Sequence, residues 1–103
     1  MSTDIGRGEI WTLADGRDVL VISLTGLDEA YGAVLAIVLH PAGRYPDTAM
    51  SVEITEPLHR TAVAMNIQQL HVASRFKDAT RRGTVGPDAM SRVGAALRAV
   101  QDL

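Results

Sequence analysis

A mainly β fold with one helix is what this sequence predicts: five or six strands in a small curled sheet or barrel, closed by a C-terminal helix. Three observations carry that expectation. A strand–Asp-Gly–strand pattern opens the chain, a nearly unbroken apolar run fills residues 33–40, and a single amphipathic stripe is confined to the last segment.

In the first pattern, residues 9–14 and 18–25 read as strands. Ala14-Asp15-Gly16-Arg17 connects them, with Asp-Gly as the hairpin signal. The first strand holds the only Trp, Trp11, in a chain with 4% aromatic residues. Such a residue is either the main hydrophobic anchor of the fold or a platform at a binding face. The run Ala33–His40 fits a central strand buried on both faces; Gly32 and Pro41 bound it at strand rather than helix length. A polar loop, 41–48, leads to the alternating strand Ser51–Thr55, and two further short strands fit Thr61–Met65 and Ile67–Ala73. The basic stretch Arg75–Arg82 reads foremost as a solvated linker, with attraction of RNA or of an acidic peptide as the other reading.

The helix begins at Pro87, which suits a first helical position, followed by Asp88 at the positive end of the helix dipole. Met90, Val93, Leu97 and Val100 recur at three- and four-residue spacing and form one apolar stripe, with Arg92 and Arg98 off it. Gly94 and Ala95 make a thin flank beside the stripe.

With 103 residues the chain is expected to form a single domain over 1–103. A domain of this size buries somewhat more than ~60% of its unfolded surface and has little stability to spare. The sequence holds no Cys, which excludes disulfides, a thiol nucleophile and Cys-ligated zinc. A net charge of −2 argues against a domain whose main task is gripping duplex DNA by its phosphates. No stretch approaches the ~18 apolar residues of a membrane span, and Met1-Ser2-Thr3-Asp4 does not resemble a signal peptide, so a soluble, cytoplasmic protein is expected.

The order of these elements, with the residues they carry, resembles the MazF/PemK toxins of bacterial toxin–antitoxin pairs, relatives of the CcdB/Kid fold. Arg7-Gly8-Glu9-Ile10-Trp11 matches the family's opening Arg-Gly-Asp/Glu-Ile/Val-Trp strand. Arg17, the apolar run Val19–Ile22 and Ser23 match its second strand, although Asp18 replaces the usual Pro. Gln69 fits a later strand, with His71 where the family has Arg, and Pro87–Leu103 fits its terminal helix. The likeness is strongest up to Ser23 and from Gln69 onward. Two departures stand out. Only Ala14–Arg17 joins the first two strands, where the family has a long loop over its active site, and Leu39-His40-Pro41 holds the place of a Ser or Thr that works with the Arg.

The resemblance implies an SH3-like barrel with the helix described above, and a metal-independent endoribonuclease without cofactors. In that chemistry a 2′-hydroxyl of single-stranded RNA attacks the adjacent phosphate. Arg17 would clamp the developing charge and His40 would serve as acid or base, since imidazole titrates near neutral pH. Arg44 and Tyr45 on the 41–48 loop would hold a phosphate and stack on a base, and Gln69 would complete the substrate-binding set. Each has a plainer reading: Arg17 as a solvated turn residue, His40 as a strand-end residue bonded to backbone, Arg44 and Tyr45 as loop surface. His59 and His71 lack metal-like spacing and read as structural. The family also implies a homodimer, which would cover exposed apolar edge strands, and a cognate antitoxin as partner.

Two other readings keep the fold. One is a catalytically degenerate module that engages an antitoxin or protein target without cleaving RNA. The other is a generic SH3-like barrel in a larger assembly. A gyrase-directed role is disfavoured, because the tail Ala99–Leu103 lacks the Trp-Gly-Ile ending of that branch.

Overall fold

The Asp-Gly hairpin forms as its sequence dictates. In a computed structural model, which describes residues 5–23, 31–42 and 50–101, strands β1 (Glu9–Thr12) and β2 (Asp18–Val21) pair antiparallel. Gly16 takes φ +92°, a conformation that a side chain would strain. The Leu13 carbonyl accepts from the Gly16 amide, and the Leu13 amide donates back to the Arg17 carbonyl. The chain continues through β3 (Ala33–Pro41), β4 (Ser51–Ile54), β5 (Arg60–His71), the single helical turn α1 (Val72–Arg75), β6 (Thr80–Thr84) and the helix α2 (Pro87–Gln101). The six strands form one antiparallel sheet in the order β4-β5-β3-β2-β1-β6.

Strand alternation divides the side chains between two cores. Ile10, Leu20, Ile22, Ile37, Leu39, Val52, Ile54, Ala62 and Ala64 share the helix face with Val93 and Ala96 of α2. The expected stripe is there: Val93 is buried, while Met90, Leu97 and Val100 pack half-buried against this core. On the opposite face, Trp11, Leu13, Val19, Val21, Val34, Ala36 and Leu70 gather with Ile5 and Phe76. Trp11 is 6% exposed and its ring meets Phe76 edge-on, centroids 5.6 Å apart, so it is a core anchor and not a platform at a surface. We call this the Trp face.

Three expectations are corrected. Thr61–Met65 and Ile67–Ala73 are not two strands but one, β5, which runs through Asn66 and ends at His71. Its pairing with β3 jumps from Ile37↔Ile67 to Leu39↔Ala62, so Val63–Asn66 lie opposite Val38 alone. The bulge bends the strand enough for its first half to pair with β4 as well. It also resets the alternation. Ala62 and Ala64 face α2, and so do Ile67 and Gln69 as partners of Ile37 and Leu35; Met65 and Asn66 therefore both project to the Trp face.

The stretch Arg75–Arg82 is not a solvated linker. Phe76 plugs the Trp-face core, and Thr80–Thr84 is a strand along β1. The apolar side chains left exposed are likewise not on edge strands. The edge β6 reads Thr-Arg-Arg-Gly-Thr, a polar composition that resists pairing with other chains. Among the described residues, exposed large apolar side chains occur instead at Leu35, Met65 and Ile67, in the interior strands β3 and β5, and at Tyr31 just before β3.

Curling brings the two ends of the sheet together. Gly83, in β6, lies against Pro57 in the β4–β5 connection; a Cβ on Gly83 would stand 2.9 Å from the Pro57 Cβ. Gly83 has φ +140° beside a register shift in the β1–β6 ladder, so the bulge that turns the edge inward is built on a residue without a side chain.

Candidate active site

Arg17 is the last residue of the hairpin turn and stays on the Trp face, in step with Val19 and Val21 and opposite Leu13. Asp15 fixes it. One carboxylate oxygen, Oδ1, accepts from the Arg17 backbone N–H (3.0 Å), and Oδ2 accepts from its Nε (2.9 Å). The Arg17 backbone N–H, helped by its guanidinium and by the charge of Arg75, holds the Asp15 carboxyl below its ordinary pKa against slight desolvation.

His40 lies at the end of β3, half-buried and in step with Val34, Ala36 and Val38, hence also on the Trp face. The β2–β3 register pairs Val19 with Val38. Beyond that last pair, Arg17 on the β1–β2 turn and His40 on β3 lie at the same end of the two strands. On the other side, β5 places buried Thr61 opposite His40. Asn66, aimed across by the bulge, has its Nδ2 2.7 Å from the His40 Nε2. An always-charged guanidinium and an imidazole that can exchange a proton thus lie on one face of the sheet, toward the same end.

Gln69 is elsewhere. It pairs with Leu35 on the helix-side face, beyond the reach of α2, and with Ser23 and Tyr31 lines a shallow hollow of about 160 Å³. The sheet separates it from Arg17 and His40. Arg44 and Tyr45 lie outside the described residues. His59 is exposed and bonded to Glu53; His71 is exposed where β5 ends. Among the described residues no group of three or more His, Cys, Asp or Glu could hold a metal ion, and no helix is long and apolar enough to cross a membrane.

Two residues near His40 were not singled out from sequence. Thr61 and Asn66 owe their positions to long-range pairing and a bulge, neither of which leaves a local pattern. Asp18, where the family carries Pro, points to the helix face. Its carboxylate accepts from the Thr12 hydroxyl (2.5 Å) and from the Arg60 Nε (3.0 Å), linking β1 and β2 to β5 across β3.

These features define a class: a curled six-stranded antiparallel half-barrel with a C-terminal helix, the fold of the MazF toxins. Among solved structures, an endoribonuclease from a mycobacterial species is similar over 100% of this chain and 96% of its own, with 20% identity and a TM-score of 0.85. The same group in complex with its cognate antitoxin aligns over 96% of both chains, at 21% identity and a TM-score of 0.79. A MazE–MazF complex from Deinococcus radiodurans aligns over 97% of this chain and 98% of its own, at 18% identity and a TM-score of 0.80. No protein-family model matches the sequence. No curated protein matches it significantly.

Proposed function

We propose that this chain is the toxin of a toxin–antitoxin pair and a metal-independent endoribonuclease acting on single-stranded RNA. The observation that carries the reading is the placement of Arg17 and His40 on one face, toward the same end of neighbouring strands, within a fold shared with endoribonucleases. The ribose 2′-hydroxyl attacks the adjacent phosphorus and the 5′-oxygen leaves. Arg17 offers N–H donors to the phosphoryl oxygens as charge builds on them; being positioned by Asp15 before substrate arrives, it loses little freedom in doing so. His40 takes the proton from the 2′-hydroxyl or returns one to the departing oxygen. Arg44 and Tyr45 follow His40 closely in sequence and serve as phosphate and base contacts. Gln69 belongs to a different surface and is not part of this site. The cognate antitoxin and a second copy of the chain are its proposed partners.

The test is incubation with single-stranded RNA in EDTA from pH 5 to 8, comparing wild type with Arg17→Ala and His40→Ala. Cleavage by wild type, reduced about 10²–10³-fold by Arg17→Ala, supports the reading. No cleavage by wild type at any of these pH values refutes the enzymatic form. The reading it would yield to is a binding module of the same fold, which the engagement of Arg17 by Asp15 and the His at the family's Ser/Thr position favour.

A further inference from the structure

We infer that Met65 is the platform for the nucleobase on the 5′ side of the cleaved phosphate and gives the site a preference for purines there. The inference rests on the function proposed above and names part of its substrate. Three observations support it. Among the described residues, Met65 is the one large apolar side chain exposed on the Trp face, at 63%. Leu35 and Ile67 project to the helix side, and Tyr31 lines the hollow there. The β5 bulge sets Met65 directly before Asn66, whose Nδ2 is 2.7 Å from the His40 Nε2, so the thioether stands beside the candidate site. In the sheet order β5-β3-β2, the strand of His40 lies between that of Met65 and the one that Arg17 leads into.

A lone exposed methionine is ordinary on a protein surface. The order of groups across the face is what gives this one a role. From β2 to β5 they run guanidinium, imidazole, thioether. A nucleotide runs the same way, from phosphate through the ribose with its 2′-hydroxyl to the base. With the phosphate at Arg17 and the 2′-hydroxyl at His40, the base of that nucleotide extends toward β5. Val38 and Val63, both half-buried, border Met65 there: Val38 lies opposite the bulge, and Val63 alternates with Ala62 and Ala64, which face α2. The ledge is apolar and offers the base a surface rather than hydrogen-bond partners. A thioether is polarizable and unbranched, and packs well against a flat ring. Such a contact does not read base edges; its strength follows the ring area it covers, which is larger for a bicyclic purine than for a pyrimidine.

The experiment uses deoxyoligonucleotides carrying one ribonucleotide, so that a single 2′-hydroxyl limits cleavage to one phosphate. The base on that ribose is A, G, C, U or absent. Cleavage in EDTA is compared for wild type, Met65→Ala and Met65→Leu, with circular dichroism as the folding control. Binding of the all-deoxy counterparts, which cannot be cleaved, is followed by fluorescence anisotropy. Wild type is expected to favour A and G in both assays. Met65→Ala is expected to lower kcat/KM about tenfold on the purines, less on the pyrimidines and not at all on the abasic ribose, while Met65→Leu keeps most of the preference. A base preference unchanged in Met65→Ala overturns the inference. So does an equal loss on the abasic ribose. An altered sedimentation coefficient with unchanged base preference assigns Met65 to a protein contact and overturns it as well. If wild type cleaves nothing, the proposed function fails, and the anisotropy still decides the inference. A purine-over-abasic preference that Met65→Ala removes supports it; the absence of such a preference, or of binding, overturns it.

Discussion

Gly83→Ala should be among the most damaging single-methyl changes in this chain, because it adds atoms where the two ends of the sheet meet. The backbone at Gly83 has φ +140°, and holding a residue with a side chain there costs about 1–3 kcal/mol. The new Cβ would lie 2.9 Å from the Pro57 Cβ and 3.0 Å from its Cγ, closer than carbon atoms approach, so β6 or the β4–β5 connection must move. Overpacking of this kind adds about 1–3 kcal/mol, offset by about 0.4–1 kcal/mol from the stiffer unfolded chain. The net expectation is a loss of about 2–4 kcal/mol, against a total of about 5–15 for a domain of ordinary stability. Gly16→Ala is the control: it too has a positive φ, +92°, but nothing lies within 4 Å of its added Cβ, so it bears the backbone cost alone. Urea unfolding followed by far-ultraviolet circular dichroism measures both. A loss at Gly83 no larger than at Gly16 would refute the claim that the Pro57 contact closes the sheet.

Trp11→Ala removes the largest side chain of the Trp-face core and its edge-on contact with Phe76, and should cost about 3–5 kcal/mol in the same urea assay, with Trp11→Phe costing far less. Glu9 gives a pH-dependent case. Burial works against its charge, but the Gly6 amide, the Arg81 guanidinium and the Trp11 indole N–H outweigh it and hold the carboxyl below its ordinary pKa. A lowered folded value means that the ionised group stabilises the fold above the unfolded carboxylate pKa and ceases to do so as pH falls through the folded value. The stability gap between wild type and Glu9→Gln should therefore be present at pH 7 and close on acidification toward pH 3, as followed by urea unfolding across that range.

What was legible in the sequence is what short-range chemistry determines. Asp15-Gly16 admits few turns, so the hairpin and the exposure of Arg17 followed from four residues. Pro87, Asp88 and the Met90–Val100 stripe defined α2 to within its first turn. β5 was misread as two strands because Met65-Asn66-Ile67 breaks the alternation, and a break looks the same whether the chain turns or only bulges. The fact that decides it, β5 pairing with both β3 and β4, is long-range. β6 was missed for a related reason: an edge strand protected by Arg81 and Arg82 lacks the apolar alternation by which strands are recognised. Of the candidate site, Arg17 and His40 could be named from the resemblance, but their sharing of one face depends on the β2–β3 register. The face that Gln69 occupies, opposite to that of Arg17 and His40, is decided by the β5 bulge and was not legible locally.

Arg17 and Asp18 show how that pleat separates function from stability in consecutive residues. Arg17 projects to the Trp face, where its partner Asp15 is half exposed, and solvent leaves exposed pairs of this kind contributing little to stability. Asp18 projects to the helix face with its side chain only 12% exposed, and there receives the Thr12 hydroxyl and the Arg60 guanidinium. Removing its carboxylate takes the acceptor from the Thr12 hydroxyl and from an Arg60 side chain that is 35% exposed, so water offsets part of a loss of about 1–2 kcal/mol. The two alanine variants should therefore fail in opposite ways. Asp18→Ala should lower the urea midpoint clearly while, below that midpoint, leaving any RNA cleavage near the wild-type rate. Arg17→Ala should keep nearly the wild-type urea midpoint and lose cleavage. A one-residue slip of β2 would exchange the two phenotypes, so the pair tests the register on which the proposed site depends independently of any structure determination.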